Sequence, residues 1–208
     1  MFTGVNLLFF ASRKALIKNG FEVAQPIESV WVFFQDIPQV AACLPGAELN
    51  DLVGDDKYVG KVAIKLGPVK LQFAGSAQIK ERNDSAKRIV VDAAGADEKG
   101  RGQAALMLTA SLTPTSTGTK VDVLMDLQLS GAAAQYGRGL VSDVTQVLLG
   151  DFASTMQARL GAIARGQSPD QIAAAKSASG LAIGVRAARM ALTRVFKRFF
   201  LPYQSMAN

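Results

Sequence analysis

The chain lacks histidine altogether and has one cysteine, Cys43, among its 208 residues. Without imidazole there is no Ser-His-Asp triad, no His-ligated zinc and no ordinary acid–base group for neutral pH. One thiol excludes an internal disulfide and a thiolate-held metal cluster, and it fits a reducing compartment. A phosphate loop is missing too: the glycines of Gly95 to Gly102 and Gly137 to Gly139 are not followed by Lys-Ser/Thr and lack the dinucleotide spacing. No secretory leader is expected, because the apolar run Leu7 to Ala11 is short and its cations, Arg13 and Lys14, come after it. These absences predict a cytoplasmic protein without a recognisable catalytic constellation.

Acidic residues are missing from one end only. None follows Asp170, whereas Lys176, Arg186, Arg189, Arg194, Lys197 and Arg198 do. The formal net charge is +6, and those side chains carry all of it, so a neutral body precedes a basic tail. Leu181, Val185, Ala188, Leu192, Val195, Phe196 and Phe199 recur at helical spacing and share a face, with the cations beside or opposite it and Phe200 just beyond. Pro202 ends the pattern. A helix from Leu181 to Leu201 would be about 31 Å long, formally enough to cross a bilayer core. Energetics oppose crossing: each mid-membrane cation costs about 2.5–3.5 kcal/mol and each large apolar residue returns only about 0.3–0.6. The expectation is a helix lying on an anionic membrane surface through Arg186, Arg189, Leu192, Arg194, Phe196, Lys197, Arg198, Phe199 and Phe200, on the inner face of the cytoplasmic membrane. Packing on the body or a partner protein is the alternative reading. Nucleic acid is not expected, since base stacking does not need so clean a facial segregation.

The body has single-domain length. Arg165-Gly166 followed by Ser168-Pro169-Asp170-Gln171 reads as a helix stop and a new N-cap, placing the boundary near Gly166. Within the body the period is mostly two. Tyr58, Val62, Ile64 and Leu66 alternate with Lys61 and Lys65; Val69, Leu71, Phe73 and Ile79 with Lys70, Gln72, Gln78 and Lys80; Val121 through Leu129 with Lys120, Asp122, Asp126 and Gln128. Turn residues separate these half-buried antiparallel strands at Gly54 to Asp56, Gly67-Pro68, Asn83 to Ser85, Asp97 to Gly102 and Thr115 to Gly118. A first strand around Phe21 to Ala24 precedes two short helices, Pro26 to Phe34 and a second capped by Asp36. A long helix from about Arg138 to Ala164 closes the body, with Val141, Val144, Leu148, Phe152 and Met156 as its apolar stripe and Asp143, Asp151 and Arg159 expected in solvent.

Several local sequences then converge: Phe21-Glu22-Val23, Pro26-Ile27-Glu28, Val30-Trp31, Cys43-Leu44-Pro45-Gly46-Ala47, Tyr58-Val59-Gly60, Leu66-Gly67-Pro68, Ser130-Gly131 and Gln135-Tyr136-Gly137-Arg138-Gly139. In this order they resemble the carbon monoxide dehydrogenase CoxG family over roughly residues 16 to 164. The resemblance implies an α+β START/Bet v 1-like (SRPBCC) helix-grip fold, a curved antiparallel sheet around a long C-terminal helix. The expected organisation is an N-terminal extension over 1–14, a helix-grip ligand-binding domain over 15–165, a linker with a short helix over 166–180 and the basic amphipathic tail over 181–208. It further implies an accessory role to a molybdenum hydroxylase of the carbon monoxide dehydrogenase type, in recruiting the enzyme to the membrane and handling respiratory quinone.

A helix-grip fold leaves an apolar cavity between sheet and helix. The lining residues expected from the alternation are Trp31, Phe34, Leu44, Tyr58, Val62, Ile64, Phe73, Met125, Leu127, Tyr136, Leu140, Val144 and Leu148. Plain core packing is the competing reading for each. Tyr58 and Tyr136 carry phenols able to hold a quinone carbonyl, and Gln135 and Arg138 add polar contacts at the helix entrance, although Arg138 has Asp143 as an alternative partner. Cys43 reads as a small packed residue. The expectation is a container for an isoprenoid quinone such as menaquinone or ubiquinone, or another hydrophobic lipid, with no tightly required cofactor. Alternatives are a recruitment module with a closed cavity and a cyclase or hydrolase of the same fold.

Overall fold

The computed structural model describes residues 13–54, 56–66, 69–135 and 138–172. The order is β1 (Arg13–Val23), α1 (Ile27–Gln35), α2 (Ile37–Cys43), β2 (Ala47–Leu52), β3 (Lys57–Leu66), β4 (Val69–Asn83), β5 (Arg88–Asp97), β6 (Gln103–Thr115), β7 (Gly118–Leu129) and α3 (Arg138–Ala164), with one-turn 3-10 segments before and after α3. Strand, two helices, six strands and a long helix is the order expected from the sequence. The first strand begins at Arg13, earlier than the alternation suggested, because all eleven of its residues pair with β7.

All these strands form one antiparallel sheet in the order β1-β7-β6-β5-β4-β3-β2. β1 and β7 are neighbours without being consecutive, and α1 and α2 span the distance from β1 to the opposite edge. The sheet packs around α3, the helix-grip arrangement. Its inner face supplies Val23, Ile79, Ile89, Ala110, Leu112, Val121 and Val123 to a cluster completed by Phe152, Met156 and Leu160 of α3 and by Val30, Trp31, Phe33 and Phe34 of α1. Phe21 and Phe152 meet edge to face at 5.9 Å.

Local chemistry fixes the connections. Asp36 ends α1 and caps α2, its carboxylate accepting the Gln39 N–H at 3.2 Å. Gly46 has φ of +78°, and a β-carbon there would lie 2.4 Å from the Ala63 carbonyl oxygen. The Pro45-Gly46 turn therefore brings the backbone against β3, where the Ala63 N–H donates to the Gly46 carbonyl at 2.8 Å. Ser168 caps the last 3-10 turn by accepting the Asp170 N–H.

Two side chains expected in solvent are buried: Asp143 is 2% and Arg159 3% exposed. The buried arc of α3 turns along its length, from Asp143, Val144 and Val147 to Phe152, Met156, Arg159 and Leu160, as different neighbours surround it. A single straight stripe does not describe such a helix. Arg159 donates through Nη1 to Gln39 Oε1 of α2 and through Nη2 to the Ile172 carbonyl at 3.4 Å, and it lies 3.6 Å from Asp170. Gln39 reaches the same Asp170 carboxylate at 3.4 Å. The stretch from Gly166 to Ile172, with its short 3-10 turn Pro169–Gln171, is thus folded back onto the body.

Candidate ligand-binding site

The core is divided. The larger cluster ends at the row Met125, Leu108, Val91 and Ile79, neighbours in register across β7, β6, β5 and β4. A second buried cluster, Leu71, Phe73 and Ala133, lies farther along the sheet with Val62, Ala104 and Leu129 against it. Two cross-strand rows run between them on the inner face, Tyr58 of the first packing on the larger cluster and Ala104 and Leu129 of the second on the smaller. One is Leu127, Leu106, Ala93, Ala77 and Tyr58; the other is Leu129, Ala104, Gly95, Gly75 and Gly60. Every member of the first row faces inward yet keeps partial solvent access. From β6 to β3 the rows are otherwise Ala or Gly, which fill little of the space a sheet and helix enclose.

Glycine is required in that second row. A β-carbon on Gly75 would lie 2.0 Å from the Ala94 carbonyl oxygen and 2.5 Å from Gly95 Cα, so β4 and β5 approach here more closely than side chains permit. The sequence signal was available in the alternation of small residues at 75, 77, 93 and 95, but small residues add little to an apolar pattern.

The sequence-predicted lining residues divide accordingly. Tyr58 and Met125 pack at the margin of the larger cluster, Val62 and Phe73 belong to the second, and Leu127 stands in the intervening row. Ile64 is half-buried beside Leu71. On α3, Val144 is buried and Leu140 and Leu148 are half-buried. Trp31 and Phe34 lie inside the packed larger cluster; the Trp31 indole N–H donates to Asp84 at 2.6 Å, with the Lys87 ammonium 5.6 Å from its ring centroid. Leu44 is corrected: it is 37% exposed, since only its neighbours Cys43 and Pro45 turn inward. Gln135 is exposed at the end of the 3-10 turn before α3, and Arg138 is the first residue of α3. Tyr136 and the tail residues Arg186, Arg189, Leu192, Arg194, Phe196, Lys197, Arg198, Phe199 and Phe200 lie outside the described residues.

Polar groups near the site are mainly structural. Asp97, next to Phe73 in register, accepts two N–H groups of Arg101 and the amides of Gln72, Lys99 and Arg101. The Arg101 guanidinium, helped by those amides, holds the Asp97 carboxyl well below the usual carboxylate range. Arg101 also donates to the Lys70 carbonyl at 2.7 Å, locking the β5–β6 turn to β4. Burial pushes the Cys43 thiol up to about 11, against the opposing charge of Arg159. This makes Cys43 an inert packing residue, as expected. Among the described residues no group of His, Cys, Asp or Glu could hold a metal ion, and no helix is long and apolar enough to cross a membrane.

A hollow of about 680 Å³ is lined mainly by outward residues of the same sheet, Lys57, Val59, Ala74, Ser76, Ala94, Ala96 and Ala105 among them, and also borders Gly75, Gly95, Ala104 and Leu129 of the second row. None of the predicted lining residues borders it, so it is not the expected container.

Residues 20–161 match the carbon monoxide dehydrogenase CoxG family. Among solved structures, a conserved protein from Geobacillus kaustophilus superimposes with a TM-score of 0.64 at 21% identity, covering 71% of this chain and 95% of that one. An uncharacterized protein from Rhizobium leguminosarum gives 0.53 at 13%, covering 71% and 97%. Identities this low show a shared fold alone. No curated protein sequence matches the chain.

Proposed function

The chain belongs to the carbon monoxide dehydrogenase CoxG family, and from that premise we propose that it is a non-catalytic accessory protein of a molybdenum hydroxylase of the carbon monoxide dehydrogenase type. Its inner space binds an isoprenoid quinone, and its basic tail holds it on the inner face of the cytoplasmic membrane. The observation that carries the reading is the divided core. Between two buried clusters lie Ala77, Ala93, Gly75, Gly95 and Gly60, with Leu106, Leu127 and Tyr58 partly open beside them. An isoprenoid chain suits that apolar lining, at about 0.8 kcal/mol per buried CH₂. Tyr58 offers a phenol to a quinone carbonyl.

In this mechanism the tail docks, the inner space takes the quinone head and part of its chain, and the hydroxylase delivers electrons to it. Organic extraction of the protein purified from its native host is expected to release menaquinone or ubiquinone at a substantial fraction of one per chain. Absence of any isoprenoid from protein prepared without detergent overturns the carrier role and leaves recruitment alone. For the tail, high salt weakens binding to anionic vesicles only partly, and Phe196→Asp weakens it more than Lys197→Ala. The reverse ranking indicates a charge contact with protein.

The burial of Asp143 supports a second reading, an enzyme of this fold with an inward carboxylate. Asp143→Asn distinguishes them: a carrier retains quinone and hydroxylase coupling, whereas an enzyme loses turnover with binding preserved.

A further inference from the structure

The outer hollow is unlike the rest of that sheet face. Outward positions elsewhere carry Lys61, Lys70, Lys80, Asp92, Lys120 and Asp122, as a solvated face should, and Lys57 supplies the one charge among the residues lining the hollow. The hollow crosses five strands along the outward row Val59, Ser76, Ala94, Ala105 and Gln128, with Ala74 and Ala96 beside it. Ala94, Ala96 and Ala105 are exposed there. A water-facing concavity with so little charge is a docking surface in want of an occupant.

We propose that the occupant is the chain's own N-terminal segment, residues 1–12. Those residues contain no charged side chain, and Met1, Phe2, Val5, Leu7, Leu8, Phe9 and Phe10 make the segment strongly apolar. The segment also arrives at the right place. It joins β1 at Arg13, which pairs with Leu129, and the flanking Gln128 and Ser130 border one end of the hollow. Length agrees as well. Five strands span about 19 Å at roughly 4.8 Å per spacing, and twelve residues reach about 18 Å as a helix or about 40 Å extended. The C-terminal tail competes poorly for this surface, because the chain leaves the described fold at Ile172, held beside Arg159 and Gln39 on the helix side of the sheet. Large apolar side chains laid over Ala and Ser floor residues would exclude water from a surface that otherwise invites self-association.

The test uses the full chain with Phe9→Cys and Ala94→Cys; native Cys43 is buried and stays silent. Under mild oxidation the expected product is an intramolecular disulfide in monomeric protein. In a second measurement on Ala94→Cys alone, adding Val5→Asp and Phe9→Asp is expected to raise the alkylation rate of the introduced thiol at least about tenfold. Intermolecular disulfides would assign the hollow to a second copy and overturn the proposal. So would fast alkylation without the Asp substitutions, meaning an open hollow, or slow alkylation unchanged by them, meaning that the tail or another partner covers it.

Discussion

Ala93→Leu separates a container from a solid core by the sign of a stability change. Ala93 faces inward between Ala77 and Leu106, in the row that parts the two clusters, and retains partial solvent access. Leucine adds three carbons. Fully buried in an unfilled apolar space they would contribute about 2.4 kcal/mol, and the partial exposure of the position halves this to about 1 kcal/mol. If the rows were already close-packed, the same carbons would force neighbours off their rotamers at a cost of about 1–3 kcal/mol. Urea unfolding of ligand-stripped protein reads the difference: with a slope of about 1–3 kcal/mol per molar, the midpoint moves by roughly 0.5 M, upward for a container and downward for a filled core. The stabilised variant is also expected to lose most of its extractable quinone, because the added side chain occupies ligand space. A downward midpoint with unchanged ligand content would refute the reasoning, and so would a stabilised variant that keeps its ligand.

Three other outcomes are expected. Asp97→Asn lowers Tm at neutral pH, and its deficit against the parent shrinks as pH falls below the ordinary carboxyl value of 3.8, because the depressed carboxyl stabilises the fold only while ionised; a pH-independent deficit excludes this account. Native Cys43 resists alkylation at pH 8 and reacts after denaturation, and its stabilising contribution, intact below pH 9, declines towards pH 11 as the unfolded thiol ionises first; fast native labelling contradicts its burial. A chain ending at Ile172 keeps the parent's thermal stability, whereas one ending at Gly166 loses about 1–3 kcal/mol by removing Asp170 and the Ile172 carbonyl from buried Arg159; equal Tm values would mean that Gln39 alone satisfies the guanidinium.

Much of the architecture was legible because period-two alternation and turn residues are local signals. Val121, Val123 and Met125 face inward as their alternation with Asp122 and Asp126 required, and the Asp36 cap and the Cys43 to Gly46 turn behave as their chemistry dictates. What could not be read depends on neighbours far away in sequence. Arg159 is buried because Gln39 and the returning chain surround it, 120 and 13 positions distant. Asp143 shares the buried arc with Val144 and Val147, and no helical period distinguishes it from a solvated carboxylate. The lining was inferred from large side chains such as Trp31, Phe34 and Leu44, whereas the residues between the two clusters are Gly75, Ala77, Ala93 and Gly95, whose small size adds little to an apolar pattern. The outer hollow was missed for the same reason.

The unequal division of the core also makes resistance to opening uneven. Prising apart the region around Leu71, Phe73 and Ala133 sacrifices few buried contacts, while the larger cluster ties α1, the sheet and the C-terminal half of α3 together. Amide exchange should accordingly be fastest around the smaller cluster and approach the global unfolding limit only at Val121, Val123 and Met156. On the proposed carrier role, an end that yields at a fraction of the cost of unfolding would give a long, flexible ligand a way in and out while the rest of the domain stays folded.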